Sequence, residues 1–256
     1  MGGSIGAWLI RAGHDVVLVD TDAAHAAAIR ENGLRITGPV DEFTVEAYCT
    51  DPLRLDPGFK TVLLCVKAHH TSVALNVIGQ LLHEDGFVVS VQNGLNERGI
   101  AGAVGPERTV GCFVNFGADV LEPGVIMRGN RGAVVVGELD GVRTDRISAV
   151  HALFQDFDPD AVLTENIWGY LWGKLAYGSM LFATALADAS IADVLESAAH
   201  RPGIIGLARE AMAVAAARGV KPEPFDGFDP GAFGPEASEA DADASLARLV
   251  SFNRGS

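Results

Sequence analysis

Three unbroken apolar runs constrain this chain more than any other feature: Thr61–Val66 (TVLLCV), Phe87–Val91 (FVVSV) and Thr109–Val114 (TVGCFV). A run without polar alternation fits a strand buried on both faces, and such strands belong to parallel sheets covered by helices. Helical patterns separate them. Ala23–Asn32 is Ala-rich and closed by Gly33, and Ser72–His83 places Val73, Leu75, Val77, Ile78, Leu81 and Leu82 at helical spacing. Asp15–Val19 reads as another strand, and Phe43–Ala47 and Ala133–Val136 as additional ones, the last followed by the turn GELDG. The rhythm predicts an α/β fold built on a parallel sheet.

After Leu163 no strand pattern of comparable strength appears. Asn166–Asp188 is one long helical pattern; Ile191–Ser197 and Gly203–Arg218 add more helix, with Gly219 as a C-terminal stop. A boundary near residue 165 follows, with domains at 1–165 and 166–256. Residues 222–247 hold seven acidic and no basic residues, along with Pro and Gly, and read as a solvated loop and the start of a helix.

Composition narrows the function classes. The 256 residues carry 19 Lys plus Arg against 33 Asp plus Glu, a net charge of −14. That balance argues against a nucleic-acid binder, which needs a basic footprint, and against binding to anionic membranes. No apolar stretch approaches the roughly 20 residues of a membrane span, and no charged n-region precedes an apolar segment at the start. Cys49, Cys65 and Cys112 are widely spaced without a CxxC, so neither a disulfide framework nor a zinc site is expected. Cys65 reads as a small core residue, and a reducing cytoplasm is the expected compartment.

The chain opens MGGSIGAWLIRAGHDVVLVD. Gly2, Gly3 and Gly6 head a helix over Ser4–Ala12 that leads to a strand ending at Asp20. Dinucleotide-binding units join a strand, a G-x-G-x-x-G turn and a helix whose N-terminus faces the pyrophosphate. Gly2 matches the last fingerprint glycine, and Gly3 and Gly6 match helix-packing ones. On that match the first strand and the two earlier glycines are expected to precede the start of this sequence. Alone, the same glycines are equally a Gly-rich tail before an ordinary helix. Asp20 ends the second strand, placed either to accept hydrogen bonds from the ribose hydroxyls of NAD(H) or to cap the turn at Thr21 and Asp22. Arg30 and Arg35 are nearby, but neither directly follows the strand.

Ligands of open parallel sheets bind at the carboxyl ends of the strands. Lys67 follows TVLLCV in VKAHHT, and Asn93 follows FVVSV in VQNGLNE. Lys67 there either binds cofactor phosphate or ribose or is solvated; Asn-Gly either orients ligands or makes a turn. His69 and His70 are expected to diverge at a helix start, and no third ligand has zinc spacing. In the later helix, NIWGYLWGKLAYGSMLFATALAD, Lys174 is the only cation. Trp168, Leu171, Trp172, Leu175 and Tyr177 surround it. Desolvation there would lower its pKa and make it a usable proton donor; the alternative is a lysine snorkelling at the helix rim.

The Gly-rich turn, VKAHHT, VQNGLNE and WGKLAYGSM, in this order and spacing, resemble the ketopantoate reductases (2-dehydropantoate 2-reductases) over essentially the whole chain. The resemblance implies a Rossmann domain followed by an all-helical domain with a site in the cleft between them. It implies a cytoplasmic enzyme that reduces a small-molecule 2-keto acid with NADP(H), in pantothenate biosynthesis, and it permits a homodimer. Lys174 would be the proton donor, Asn93 would contact cofactor and substrate, and Lys67 would bind the cofactor. Gly2, Gly3 and Asp20 would line its site, with Ala118 in NFGAD near a backbone contact.

Three departures accompany the resemblance. Where the family usually places Asn four and eight residues after the catalytic Lys, this chain has Gly178 and Phe182. The three positions share one helical face. A cation, a gap and an aromatic ring suit a more apolar 2-keto acid than ketopantoate. Asp20 stands where NADPH-preferring members commonly carry a base, which brings in NAD(H). The family's C-terminal helix, with a substrate-binding Ser and a cofactor-contacting Glu, is expected to lie past FNRGS; neither Ser251 nor Ser256 takes that role. The sequence is thus expected to be truncated at both ends. The alternatives are an impaired or truncated homologue that only binds nucleotide or a partner, and, less favoured, a β-hydroxyacid dehydrogenase relative with a similar fold and a catalytic Lys.

Overall fold

A computed structural model describes residues 1–254. Contacts group the chain into two compact units, Met1–Gln92 with Asn96–Glu165, and Asn93–Leu95 with residues 166 onward.

The first unit runs α1 (Gly2–Arg11), β1 (Val17–Val19), α2 (Ala23–Asn32), β2 (Leu34–Thr37), β3 (Phe43–Val45), β4 (Tyr48–Thr50), β5 (Phe59–Leu64), α3 (Thr71–Leu81) and β6 (Leu82–Ser90). It continues with α4 (Glu97–Val104), β7 (Thr109–Val114), β8 (Ala118–Glu122), β9 (Val125–Arg128), β10 (Val134–Glu138), α5 (Asp145–Phe157) and β11 (Val162–Leu163). The main sheet has five strands in the order β11-β10-β7-β6-β5. The three apolar runs pair parallel as β5-β6-β7, and β7 is buried at every residue. β10 joins β7 antiparallel. Between them the chain makes the β8-β9 hairpin instead of a crossover helix, so it re-enters the sheet in the reverse direction. β1 and β4 make a separate parallel pair, and β3-β2-β9-β8 a second, smaller sheet.

Local chemistry sets several boundaries. The Asp22 side chain accepts from the N–H groups of Ala24 and His25 and starts α2. Gly33 ends it at φ +80°, where a Cβ would stand 2.7 Å from the Val45 carbonyl oxygen. β5 stops at Leu64, two residues short of the apolar run, and β6 begins at Leu82, five before its run. β4 carries Tyr48 and Thr50 beside the single core residue Cys49, too little apolar signal to stand out in the sequence.

The main core joins α1, α5 and one face of the sheet through Ile5, Trp8, Val89, Val110, Val136 and Phe154, and a smaller cluster of Leu64, Val88, Leu75, Ile78 and Ile100 joins the other face to α3 and α4. The main core also encloses Arg128, fully buried. Its guanidinium lies 4.1 Å from the Phe157 ring centre and 4.6 Å from that of Trp8, and donates to Asp158 at 3.1 Å. Flat aromatic faces and one carboxylate together replace water around the charge.

The second unit contains α6 (Ile167–Thr184), α7 (Ile191–Glu196), α8 (Arg201–Ala217) and α9 (Glu239–Arg254). Asn166 caps α6: its side chain accepts from Gly169 N–H and donates to Lys221 O at 2.9 Å and Glu223 Oε1 at 2.7 Å. The solvated loop expected over the first part of 222–247 is instead core. Phe225, Phe228 and Phe233 are buried and stack with one another and Tyr177. Apolar rings between the acids, not the acids themselves, decide the path. Among the described residues no helix is long and apolar enough to cross a membrane.

Candidate active site

Lys67, Gly2, Gly3, Asp20 and Ala118 belong to the first unit. Lys67 sits beyond β5, just ahead of the tight turn Ala68–His70, and its carbonyl accepts from His70 N–H at 2.8 Å. The head of α1 lies beside it. A Cβ on Gly2 would come within 3.0 Å of Cys65 Cβ, and one on Gly3 within 2.5 Å of Ile126 Cδ1. These glycines are therefore packing requirements of α1 against β9 and the end of β5. Burial holds the Met1 amino group below its ordinary range, with the Cys65 thiol and the charges of Lys67 and Asp119 nearby. Ala118, the residue before Asp119, opens β8 near the same point. No side-chain hydrogen bond caps α1, so its first-turn N–H donors have no capping partner of that kind.

Asp20 follows β1 and is exposed. Its Oδ1 accepts from Asp22 N–H at 2.9 Å, so it does cap the turn, the plainer of its two readings. A carboxylate nonetheless stands at the carboxyl end of the strand. Arg30 is committed elsewhere, donating to Cys49 O at 2.7 Å, and Arg35 pairs with Glu42 at 2.6 Å. His69 and His70 do not diverge: their rings pack with centres 4.1 Å apart. Among the described residues no group of three or more His, Cys, Asp or Glu could hold a metal.

Asn93 and Lys174 belong to the second unit. Asn93 leaves β6 ahead of Gly94, whose φ of +98° makes the sharp turn that a side chain would strain. Lys174 is half-buried on α6, between buried Trp172, Gly173, Ala176 and Tyr177. A Cβ on Gly178 would meet nothing within 4 Å, and Phe182 is 81% exposed. The helix thus presents a lysine, an open step and an exposed ring in succession. Ser251 is exposed on α9, and Ser256 lies outside the described residues.

Two buried polar residues of VQNGLNE escape a sequence reading centred on Asn93. Gln92 is 5% exposed; Glu97 is fully buried at the start of α4, facing the buried Ser90 hydroxyl without a well-formed hydrogen bond. The only sequence signal for Gln92 is a long amide at a strand end. Glu97 gave none, since it looks like an ordinary first-turn acid.

Residues 1–141 match the family model for ketopantoate reductase PanE/ApbA. The chain is 27% identical to a 2-dehydropantoate 2-reductase of Halobacterium salinarum, an alignment covering 86% of this chain and 73% of that protein. It is 30% identical to one from Pyrococcus horikoshii over 71% of this chain, and there spans 58% of the relative's length. Among solved structures, a D-mandelate dehydrogenase complex with NADH shares the fold at TM-score 0.78 and 19% identity, covering 98% of this chain and 75% of that one. With more than half of its residues inside the family model, the chain belongs to the ketopantoate reductase PanE/ApbA family.

Proposed function

We propose that the chain reduces a 2-keto acid to the 2-hydroxy acid with a nicotinamide dinucleotide, Lys174 being the proton donor. The observation that carries this reading is the family match together with Lys174 half-buried on α6 beside the open step at Gly178. The cofactor supplies the hydride that adds to the ketone carbon. Lys174 Nζ gives its proton to the ketone oxygen, so that a neutral hydroxyl forms instead of an alkoxide, and it is reprotonated from solvent. Before the proton moves, the ammonium also attracts the oxygen on which negative charge develops. Asn93, in the same compact unit, orients substrate and cofactor by hydrogen bonds. The first-turn N–H groups at Gly2 and Gly3, with Lys67, hold the cofactor phosphates, and the backbone at Ala118 completes that side.

Gly178 and Phe182 favour an apolar substituent on the keto acid, since neither offers a hydrogen bond to a substrate hydroxyl. Asp20 favours NADH over NADPH: its carboxylate would accept from ribose hydroxyls and repel a 2′-phosphate. The test is turnover of purified protein with NADH and NADPH on a panel from ketopantoate to branched and aromatic 2-keto acids. Lys174→Ala is expected to lower kcat by about a hundredfold or more; unchanged turnover would remove Lys174 from the chemistry. Asp20→Ala is expected to narrow a kcat/KM preference for NADH. A strong NADPH preference in the unaltered protein would refute the role given to Asp20.

A further inference from the structure

A side chain ties the two strands together beyond the last paired residues of the β5-β6 ladder. Val91 N–H donates to Leu64 O at 3.0 Å, and the parallel register pairs Leu64 with Ser90. Two residues further on, Gln92 Nε2 donates to Val66 O at 2.6 Å and to Thr71 Oγ1 at 2.9 Å. Both amide hydrogens are used, which fixes the orientation of the amide, since Val66 O can only accept. Gln92 and Thr71 are both buried, 5% and 8% exposed. The amide therefore bolts the loop that starts at Lys67 to the first residue of α3, and does so from the residue that precedes Asn93.

We infer that Gln92 is a positioning residue for the cofactor site: it fixes the backbone on either side of Lys67. This rests on the reading of Lys67 as a cofactor ligand. The placement explains why a buried amide is kept at a strand end where an apolar residue would satisfy the core. It also explains the stranded Gln92 Oε1, which has no partner. Turning both N–H groups to Val66 and Thr71 leaves that oxygen facing packed side chains.

Gln92→Met keeps the length and volume and removes both donors. Three readouts are compared in the whole protein: Kd for NADH and NADPH by fluorescence titration, hydrogen exchange over residues 66–72 without cofactor, and kcat. The expected result is faster exchange at His70 and its neighbours and a Kd raised about tenfold, with kcat within about threefold of the unaltered protein, the scale of one or two lost hydrogen bonds. Lys67→Ala separates the two ideas. If it leaves Kd unchanged, Lys67 is no ligand and the underlying reading fails. If it weakens binding while Gln92→Met does not, the inference about Gln92 alone is overturned. Should Gln92→Met fail to fold, Thr71→Val removes one acceptor and Thr71→Ser restores it. Weakened binding in Val with recovery in Ser supports the bolt, and equal Kd in both variants overturns it.

Discussion

At the scale of single residues, Glu97 carries the sharpest consequence. Burial pushes its carboxyl up to about 7, against the opposing pull of its own backbone N–H and the Ser90 hydroxyl. Unfolded, it returns to the ordinary value near 4.5. Between those two values the folded state holds a proton that the unfolded state releases, so stability falls as pH rises through that window. The cost is absent below about 4.5 and fully developed above about 7, where it reaches roughly 3 kcal/mol. Glu97→Gln is therefore expected to raise Tm at pH 8 and to leave it nearly unchanged at pH 4.5, in parallel calorimetric scans. Coincident pH profiles for the two proteins would show that Glu97 folds in its charged form. This burial was invisible in the sequence because it depends on Ser90 and on the packing of α4, contacts that no local pattern encodes.

Elements were legible where their ends are chemically marked. α2 runs over the predicted residues because Asp22 and Gly33 cap it, and β7 over its apolar run because every residue of it is buried. α6 starts where Asn166 caps it but ends at Thr184, four residues before the pattern does. The Phe225–Phe233 stretch misled because its acids point away from a core made by its rings. α6 also gives a graded test through its glycines. A Cβ on Gly169 would lie 2.5 Å from Lys221 O, and one on Gly173 3.1 Å from Pro230 Cγ; at Gly178 nothing is near. Gly169→Ala should then destabilise by about 1–3 kcal/mol through overpacking against backbone. Gly178→Ala should be neutral or stabilise by up to about 1 kcal/mol from helix propensity. Urea denaturation of the two variants decides it: a Gly178→Ala loss as large as that of Gly169→Ala would mean that the face at Gly178 is closed.

For the whole molecule the net charge of −14 sets the background against which an anionic cofactor must bind. The long-range field repels a dinucleotide, so attraction has to come from groups within a few ångströms, which in the function proposed above are chiefly Lys67 and the head of α1. The two contributions respond to salt in opposite senses. Added salt weakens the local attraction, raising Kd; it also screens the repulsion of the body, lowering Kd. Charges beyond the screening length, about 30 Å at 0.01 M and about 10 Å at 0.1 M, are silenced first. With Lys67 present the near charge should dominate at moderate salt, and Kd for NADH should rise between about 0.1 and 0.5 M NaCl. In Lys67→Ala most of the local attraction is gone while the distant repulsion remains, so Kd should fall between about 0.01 and 0.1 M. Fluorescence titration of both proteins across that range reads the two slopes directly. A Kd that climbs with salt equally in both would place the binding charge elsewhere than at the end of β5, and would leave the acidic body without influence on the cofactor.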